Sequence, residues 1–386
     1  MACNGPLSGI TVIDLSKVLA GPFCTMIMAD LGARIIKVEV PEHGDDSRNF
    51  GPFIKDVSAY FASINRGKES ITLNLKNSQD RTIFEKLLEQ ADVLVENYRP
   101  GVMEKLGYGW EALHGRFPRL IYAACSGFGH TGPYSLRAAY DMVVQGMGGI
   151  MSITGHKDCG PTRVGTSVGD ITAALYTTIG ISSALYRRTL SGEGVKIDVA
   201  MMDCQVSILE NALARYFSTG QIPGPLGARH PSIAPFEVYR TKDSYIVIAA
   251  GNDVLFAKLA KALDRPDMLE NPGFGTNPDR CNHVDVLKCE IEMTLHSKTT
   301  AEWLSIIDGA GVPCGPLNNV KNVVEDPHVK ARNMIIETRN DEGTVVKMAG
   351  NPIKISGYDD PCCRPCAPAL DGDRERILKE IGMKES

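Results

Sequence analysis

The first 40 residues carry a strand–helix–strand pattern, and no other stretch constrains the fold as much. Residues 9–15 form a mostly apolar run, as a strand buried on both faces of a parallel sheet requires. Residues 21–31 have helical spacing, and Gly32 suits the position just past the helix end. Residues 34–40 alternate and are rich in β-branched side chains. The pattern then repeats. Residues 70–75, 92–96 and 120–125 read as strands, and 77–91 as a helix opened by Asn77 or Ser78. Such alternation predicts an α/β large domain with a mostly parallel sheet and flanking helices. Ligands would bind at the C-terminal ends of the strands.

At 386 residues the chain is long for one core, so two domains are expected. Helices are predicted over 171–188 and 198–219. A Gly/Pro-rich linker follows at 221–235, containing Pro223, Gly224, Pro225, Gly227, Pro231 and Pro235. The segments then fall into a large domain over 1–220, a smaller inserted α+β domain over 236–320, and a C-terminal segment, 321–386, that rejoins the large domain. The inserted domain should hold a strand at 244–250 and helices at 254–263, 283–295 and 300–310. The tail alternates like a strand over 344–348 and 353–355 and ends in a polar helix over 373–381.

Composition excludes several classes. A net charge of −5 lacks the basic excess of a nucleic-acid binder. The start, Met1 to Pro6, shows no basic segment followed by an apolar one, so no signal peptide is expected. The longest mostly apolar run, 171–186, is short for a membrane span and is broken by Thr, Ser and Gly. The 11 cysteines are odd in number and scattered, as in a reduced cytoplasmic protein. Cys362, Cys363 and Cys366 cluster, but no fourth ligand lies near them in sequence, so no metal site is expected.

The segment Arg163 to Ile171 concentrates the chemistry. Asp170 ends a Gly/Ser/Thr loop directly before a long apolar helix. At a helix start, free N–H groups and the helix dipole should hold its carboxylate ionised and nucleophilic. They should also supply donors for a nearby oxyanion. Helix capping alone would equally explain an aspartate there. Basic residues recur at predicted strand ends and loops: Lys37, Arg66, Lys68, Lys76, Arg99, Lys105 and Arg137. A ligand with several phosphates would use such a set, and a solvated face would carry one too. Gly127, Gly129 and Gly132 match G-x-G-x-x-G by letter. Pro133 and polar residues follow instead of a helix, so the motif reads as a tight loop. His230 lies in the Gly/Pro linker as a loop histidine that could face a cleft.

Taken together, these segments resemble the class III coenzyme A transferases nearly end to end. The matching pieces occur in order. They are Val12-Ile13-Asp14-Leu15 with Leu19-Ala20-Gly21-Pro22, Leu31-Gly32-Ala33-Arg34, Asn65-Arg66-Gly67-Lys68 and Leu73-Asn74-Leu75-Lys76. Asn97-Tyr98-Arg99-Pro100-Gly101, Ser126-Gly127-Phe128-Gly129, Ala139-Tyr140-Asp141 and Gly169-Asp170 follow. The resemblance implies that Asp170 is the catalytic aspartate. It implies CoA contacts at Leu19, Ala20, Leu73, Asn74, Lys76, Asn97, Arg99, Lys105 and Arg137. It places Tyr140 and Asp141 at the acyl site, with Gly251 on the substrate side; His230 is a substrate-side candidate by its place in the linker alone. It implies CoA thioesters and carboxylic acids as substrates, with no permanently bound cofactor. It also implies an interlocked homodimer of ring-shaped chains, with the small domain of one chain over the Asp170 cleft of the other.

Within that resemblance, CoA passes from an acyl-CoA donor, succinyl-CoA or similar, to a free acid by way of an aspartyl anhydride and an aspartyl-CoA thioester. Leu19 stands where formyl-CoA transferases have Gln, and Gly251 lies in a segment lacking their run of glycines. Both features favour a larger acid over oxalate. The α-methylacyl-CoA racemases share the pattern but place a histidine base at the Tyr140 slot. A tyrosine, with an ordinary pKa of about 10, is a poor base at neutral pH. A non-catalytic acyl-CoA-binding protein would keep the basic residues without needing Asp170.

Overall fold

The computed structural model describes residues 4–383. A six-stranded, all-parallel sheet dominates it. Its strands are β1 (Thr11–Asp14), β2 (Arg34–Glu39), β3 (Lys68–Thr72), β4 (Val93–Glu96), β5 (Ile121–Ser126) and β6 (Lys196–Ala200). They lie in the order β3-β2-β1-β4-β5-β6. The order reverses between β1 and β4, which opens a crevice at their C-terminal ends. Val12, Ile13, Ile35, Val93, Leu94, Val95 and Ile121 have no exposed surface, so apolar residues of both strand faces are buried. That is why these segments read as apolar runs rather than as alternations.

Three helices matter for the site: α1 (Ala20–Asp30), α2 (Asp141–Met147) and α3 (Val168–Ser191). Helix α1 ends before Gly32, whose φ of 99° suits only glycine without strain. The predicted helix 77–91 is Ser78–Gln90, and the Asn77 side chain caps it by accepting the Gln79 N–H. Two expectations fail. Residues 198–200 are the end of β6 and not helix, because this strand pairs with β5 from Tyr122↔Lys196 to Ser126↔Ala200. The helices after it are Met201–Ser207 and Asn211–Thr219. Residues 353–355 form no strand. Ile353 instead donates its N–H to Asn351 in a local turn.

The chain divides into two compact units. The first runs to Ile150, resumes over Arg163–Ser218 and includes the chain from Pro327. In it the C-terminal helix Arg374–Glu380 returns to the large sheet. Asp373 and Asp371 accept the Ser70 and Thr72 N–H groups of β3. The second unit is Met151–Thr162 with Thr219–Asp326, so residues 151–162 group with it. Its antiparallel sheet of Phe236–Arg240, Tyr245–Ala249 and Cys314–Pro316 packs Ile246 and Ile248 into a core with Phe256, Leu259 and Trp303. Among the described residues no helix is long and apolar enough to cross a membrane.

Candidate active site

Asp170 is the third residue of α3, within the first turn of a helix that starts earlier than its apolar pattern suggests. Ser167 occupies the capping position without a side-chain cap. The capping carboxylate comes from elsewhere: Asp141, the first residue of α2, accepts the Gly169 N–H at 2.8 Å. A Cβ at Gly169 would stand 2.7 Å from Val144 and 3.0 Å from the Asp141 carboxylate, so only glycine permits this approach. Gln145, fully buried, donates to Asp141 at 2.7 Å and accepts the Val164 N–H at 2.8 Å. It thereby ties the carboxylate to the loop before α3.

This arrangement alters the chemistry expected from the sequence. Burial, then the neighbouring Asp141 charge, push the Asp170 carboxyl up to about 7. The helix start does not hold it fully ionised. Val168 and Gly169 have their N–H groups engaged by Thr166 and Asp141, so they are not open donors for an oxyanion. What results is a carboxylate without a cation partner among the described residues, poised near neutral pH. Such a group is a stronger nucleophile than one held in an ion pair. Tyr60, missed by the sequence reading, belongs to the same electrostatic neighbourhood. Burial and the charges of Asp170, Asp45 and Asp141 raise its phenol to about 12.

The remaining site residues fall into two groups. Tyr140 is 77 % exposed immediately before Asp141, while Asp141 itself is buried. Leu19 and Ala20 are buried at the start of α1, and Leu73 is buried just after β3. Asn74, Lys76, Arg99, Lys105 and Arg137 are exposed, and among the described residues no ion pair engages these four cations. The Arg137 guanidinium lies 4.9 Å from the Tyr134 ring centre and 5.6 Å from that of Phe128. His230 and Gly251 belong to the second unit. The His230 ring accepts the Ser232 N–H at 3.1 Å and packs against Phe236.

Three of the basic residues grouped with these do not face solvent. Lys37 pairs with Asp45 at 2.9 Å, Arg66 with Asp30 at 2.6 Å and Lys68 with Asp14 at 3.0 Å, all buried. Within these pairs the positive charge is internally neutralised. The glycine loop is tight, as the sequence suggested: Gly127 lies against Ala139, and Gly129 and Gly132 take φ of 78° and 83°. It braces the segment that leads into Tyr140 and Asp141. Glu96, at the end of β4, accepts the Tyr98 N–H at 2.7 Å and the Tyr122 hydroxyl at 3.0 Å, and burial raises it to about 7.

Comparison with known proteins converges on one family. The model of CoA-transferase family III matches residues 7–374. The chain is 48 % identical to an acetyl-CoA:oxalate CoA-transferase of Acetobacter aceti, over 99 % of this chain and 97 % of that protein. It is 37 % identical to the human succinyl-CoA:glutarate CoA-transferase, over 97 % of this chain and 86 % of that one. A crystal structure of a CAIB/BAIF family protein from Brucella suis superposes with a TM-score of 0.86 at 38 % identity, covering 98 % of this chain and all of that one. A matching family model over nearly the whole sequence, on an α/β fold that carries a half-buried carboxylate at a helix start, shows that the chain belongs to CoA-transferase family III.

Proposed function

We propose that this transferase moves CoA from a short acyl-CoA to a free dicarboxylic acid, with Asp170 as the nucleophile. The observation that carries the reading is the Asp170 carboxylate: half-buried, beside Asp141, and without a cation partner among the described residues. An Asp170 oxygen attacks the donor thioester carbonyl, the C–S bond breaks, and CoA leaves as thiolate from a mixed anhydride. The thiolate then attacks the aspartyl carbonyl and expels the donor acid, leaving an aspartyl-CoA thioester. The acceptor carboxylate attacks that thioester, CoA leaves again, and its thiolate takes the acceptor acyl group, freeing Asp170. Two covalent stages replace one difficult exchange.

Relatives named for oxalate, glutarate and mesaconate support a small dicarboxylate as acceptor. The 48 % identical relative is named for oxalate, which weighs against using Leu19 to exclude that acid. Acetyl-CoA and succinyl-CoA are the donors to test, against oxalate, succinate, glutarate and mesaconate. Mass spectrometry of the chain incubated with donor should show CoA attached at Asp170. Asp170→Ala should show no adduct and no transfer. Wild-type transfer by purified Asp170→Ala rejects the mechanism. Proton exchange at the α-carbon without transfer would favour a racemase, and CoA binding with neither reaction would favour a binding protein.

A homodimer of interlocked chains accompanies this reading. It is supported by the face of α3 that carries Leu175, Ile179, Tyr186 and Leu190, 44–70 % exposed. Apolar side chains at that helical spacing make a surface that a second copy would cover.

A further inference from the structure

The turn between β1 and α1 is strained, and buried and half-buried side chains hold it in place. Val18 has φ of 66°, a left-handed conformation that a β-branched residue rarely takes. Five backbone groups of Ser16–Val18 are held by side chains. Ser16 donates its N–H to Asp14 at 2.9 Å, and its carbonyl accepts from Lys37 at 2.7 Å. The Asn97 side chain accepts the Lys17 N–H and donates to the Lys17 carbonyl, both at 2.8 Å. Asp45 accepts the Val18 N–H at 3.0 Å through one oxygen and holds Lys37 at 2.9 Å through the other.

The place of this turn gives the strain a use. Lys17 follows β1 and Asn97 follows β4, so their paired hydrogen bonds bridge the point where the strand order reverses. In open parallel sheets that crevice takes the ligand. The turn also sets where α1 begins, and α1 starts without a side-chain cap. Its first residue, Ala20, packs in one apolar cluster with Ala173 and Val144. Those two residues follow Asp170 and Asp141 by one helical turn. A shift at Val18 therefore moves both the crevice and the packing behind the two carboxylates.

We propose that Asp45 and Asn97 are positioning residues that hold Val18 in its left-handed conformation, so that the β1–α1 turn is set in advance to receive the CoA ester. Asn97 acts through its amide bridge to Lys17, and Asp45 through its bonds to the Val18 N–H and to Lys37. The role rests on the CoA-transferase reading above. It differs from a purely structural role because relieving the backbone strain should restore binding without restoring stability.

The test uses the full chain and four variants: Val18→Gly, Val18→Pro, Asp45→Asn and the Asp45→Asn/Val18→Gly pair. Donor KM, kcat, Kd for free CoA and Tm are measured for each. Val18→Gly should match wild type in KM and Kd, because glycine takes positive φ without strain. Val18→Pro fixes φ near about −65° and removes the N–H while leaving the Lys37–Asp45 pair in place. It should raise KM and Kd about tenfold or more. Asp45→Asn should raise both roughly five- to tenfold and lower Tm. Adding Val18→Gly should return KM and Kd to within about twofold of wild type while Tm stays low. Folded Val18→Pro with wild-type KM and Kd would overturn the proposal, and so would a double variant that binds no better than Asp45→Asn. If Asp45→Asn fails to fold, Val18→Pro decides alone, since it alters no buried charge. A wild-type chain that binds CoA but turns over no donor rejects the proposed reaction, and Kd then reads the positioning role by itself.

Discussion

The Asp141 carboxylate accepts the Gly169 N–H at 2.8 Å, one residue before Asp170 on the same helix. Asp141 thus caps α3, fixes the Asp170 backbone, and places a second negative charge beside Asp170. Its charge adds to burial in raising the Asp170 carboxyl to about 7. One contact therefore links the start of the helix to the protonation of the carboxyl on it.

A pH dependence of stability follows. The Asp170 carboxyl titrates near 7 in the folded chain and at 3.8 unfolded. Between these values the folded state binds the extra proton, so this group lowers stability as pH rises from about 4 to 7. Asp170→Asn removes that penalty. The variant should be more stable than wild type at pH 8 by roughly 2–4 kcal/mol, with the gain vanishing near pH 4. Urea unfolding at both pH values measures it. A gain independent of pH would show that the carboxyl is not shifted in this way.

Catalysis should follow the same titration. In the proposed mechanism attack requires the carboxylate, so kcat/KM for the acyl-CoA should rise with pH through about 7. Asp141→Asn keeps an oxygen for the Gly169 N–H but removes the neighbouring charge, so the midpoint should fall. A midpoint unmoved in folded Asp141→Asn would remove Asp141 from the electrostatics of the site.

The buried ion pairs behind β1 to β3 give the opposite slope. Burial opposes ionisation of Asp14, Asp45 and Glu39, but neighbouring cations and donors outweigh it and hold all three below their ordinary values. Their contribution is complete above the unfolded carboxylate range, near pH ~4, and fades as pH falls through the lowered folded values. Lys68, drawn down by burial to about 8, donates to Asp14, Asn65 and the Pro22 carbonyl. Lys68→Met would leave Asp14 short of a partner and should cost about 3–5 kcal/mol in chemical denaturation at pH 7. A loss below about 1 kcal/mol would mean the methionine packs well enough to offset the broken pair.

The sheet was legible because parallel strands buried on both faces are apolar throughout. Strand β6 was not, since Lys196 and Asp198 interrupt it at the sheet edge and the run that follows is helical. Asp170 stood out by its place before a long apolar helix. Gln145 and Asp45 carried no such sign, because their roles depend on hydrogen bonds to residues 19 and 27 positions away. Lys37 and Lys68 looked like ligand-binding cations, because charge in a sequence does not reveal its partner. The sheet register sets Asp14 opposite Lys37, yet the bonded partners are Asp45 for Lys37 and Asp14 for Lys68, the first from a loop and the second two strands away.

Arg99 and Lys105 are exposed and unpaired by carboxylates among the described residues, as residues reserved for the CoA phosphates would be. Either one changed to Ala should raise the acyl-CoA KM several-fold and leave kcat within about twofold, since a phosphate contact acts equally on ground and transition states. Added salt should shrink the difference by screening. Steady-state kinetics at two ionic strengths would decide it, and an unchanged KM would return these residues to the solvated surface.

The exposed apolar face of α3 leads to the last expectation. Leu175, Ile179, Tyr186 and Leu190 recur at intervals of four, seven and four residues, which places them along one side of the helix. Ile179 and Leu190 are 60 % and 66 % exposed, so neither contributes fully to packing within its own chain. Ile179→Asp should therefore leave the chain's own fold largely intact and oppose burial of that face against a second copy. Light scattering should give a dimer mass for wild type that persists on dilution to nanomolar concentration, as interlocked chains separate only by unfolding. The variant should give monomer or aggregate. A wild-type chain that is monomeric, folded and active at that dilution would reject both the dimer and any site shared between its chains.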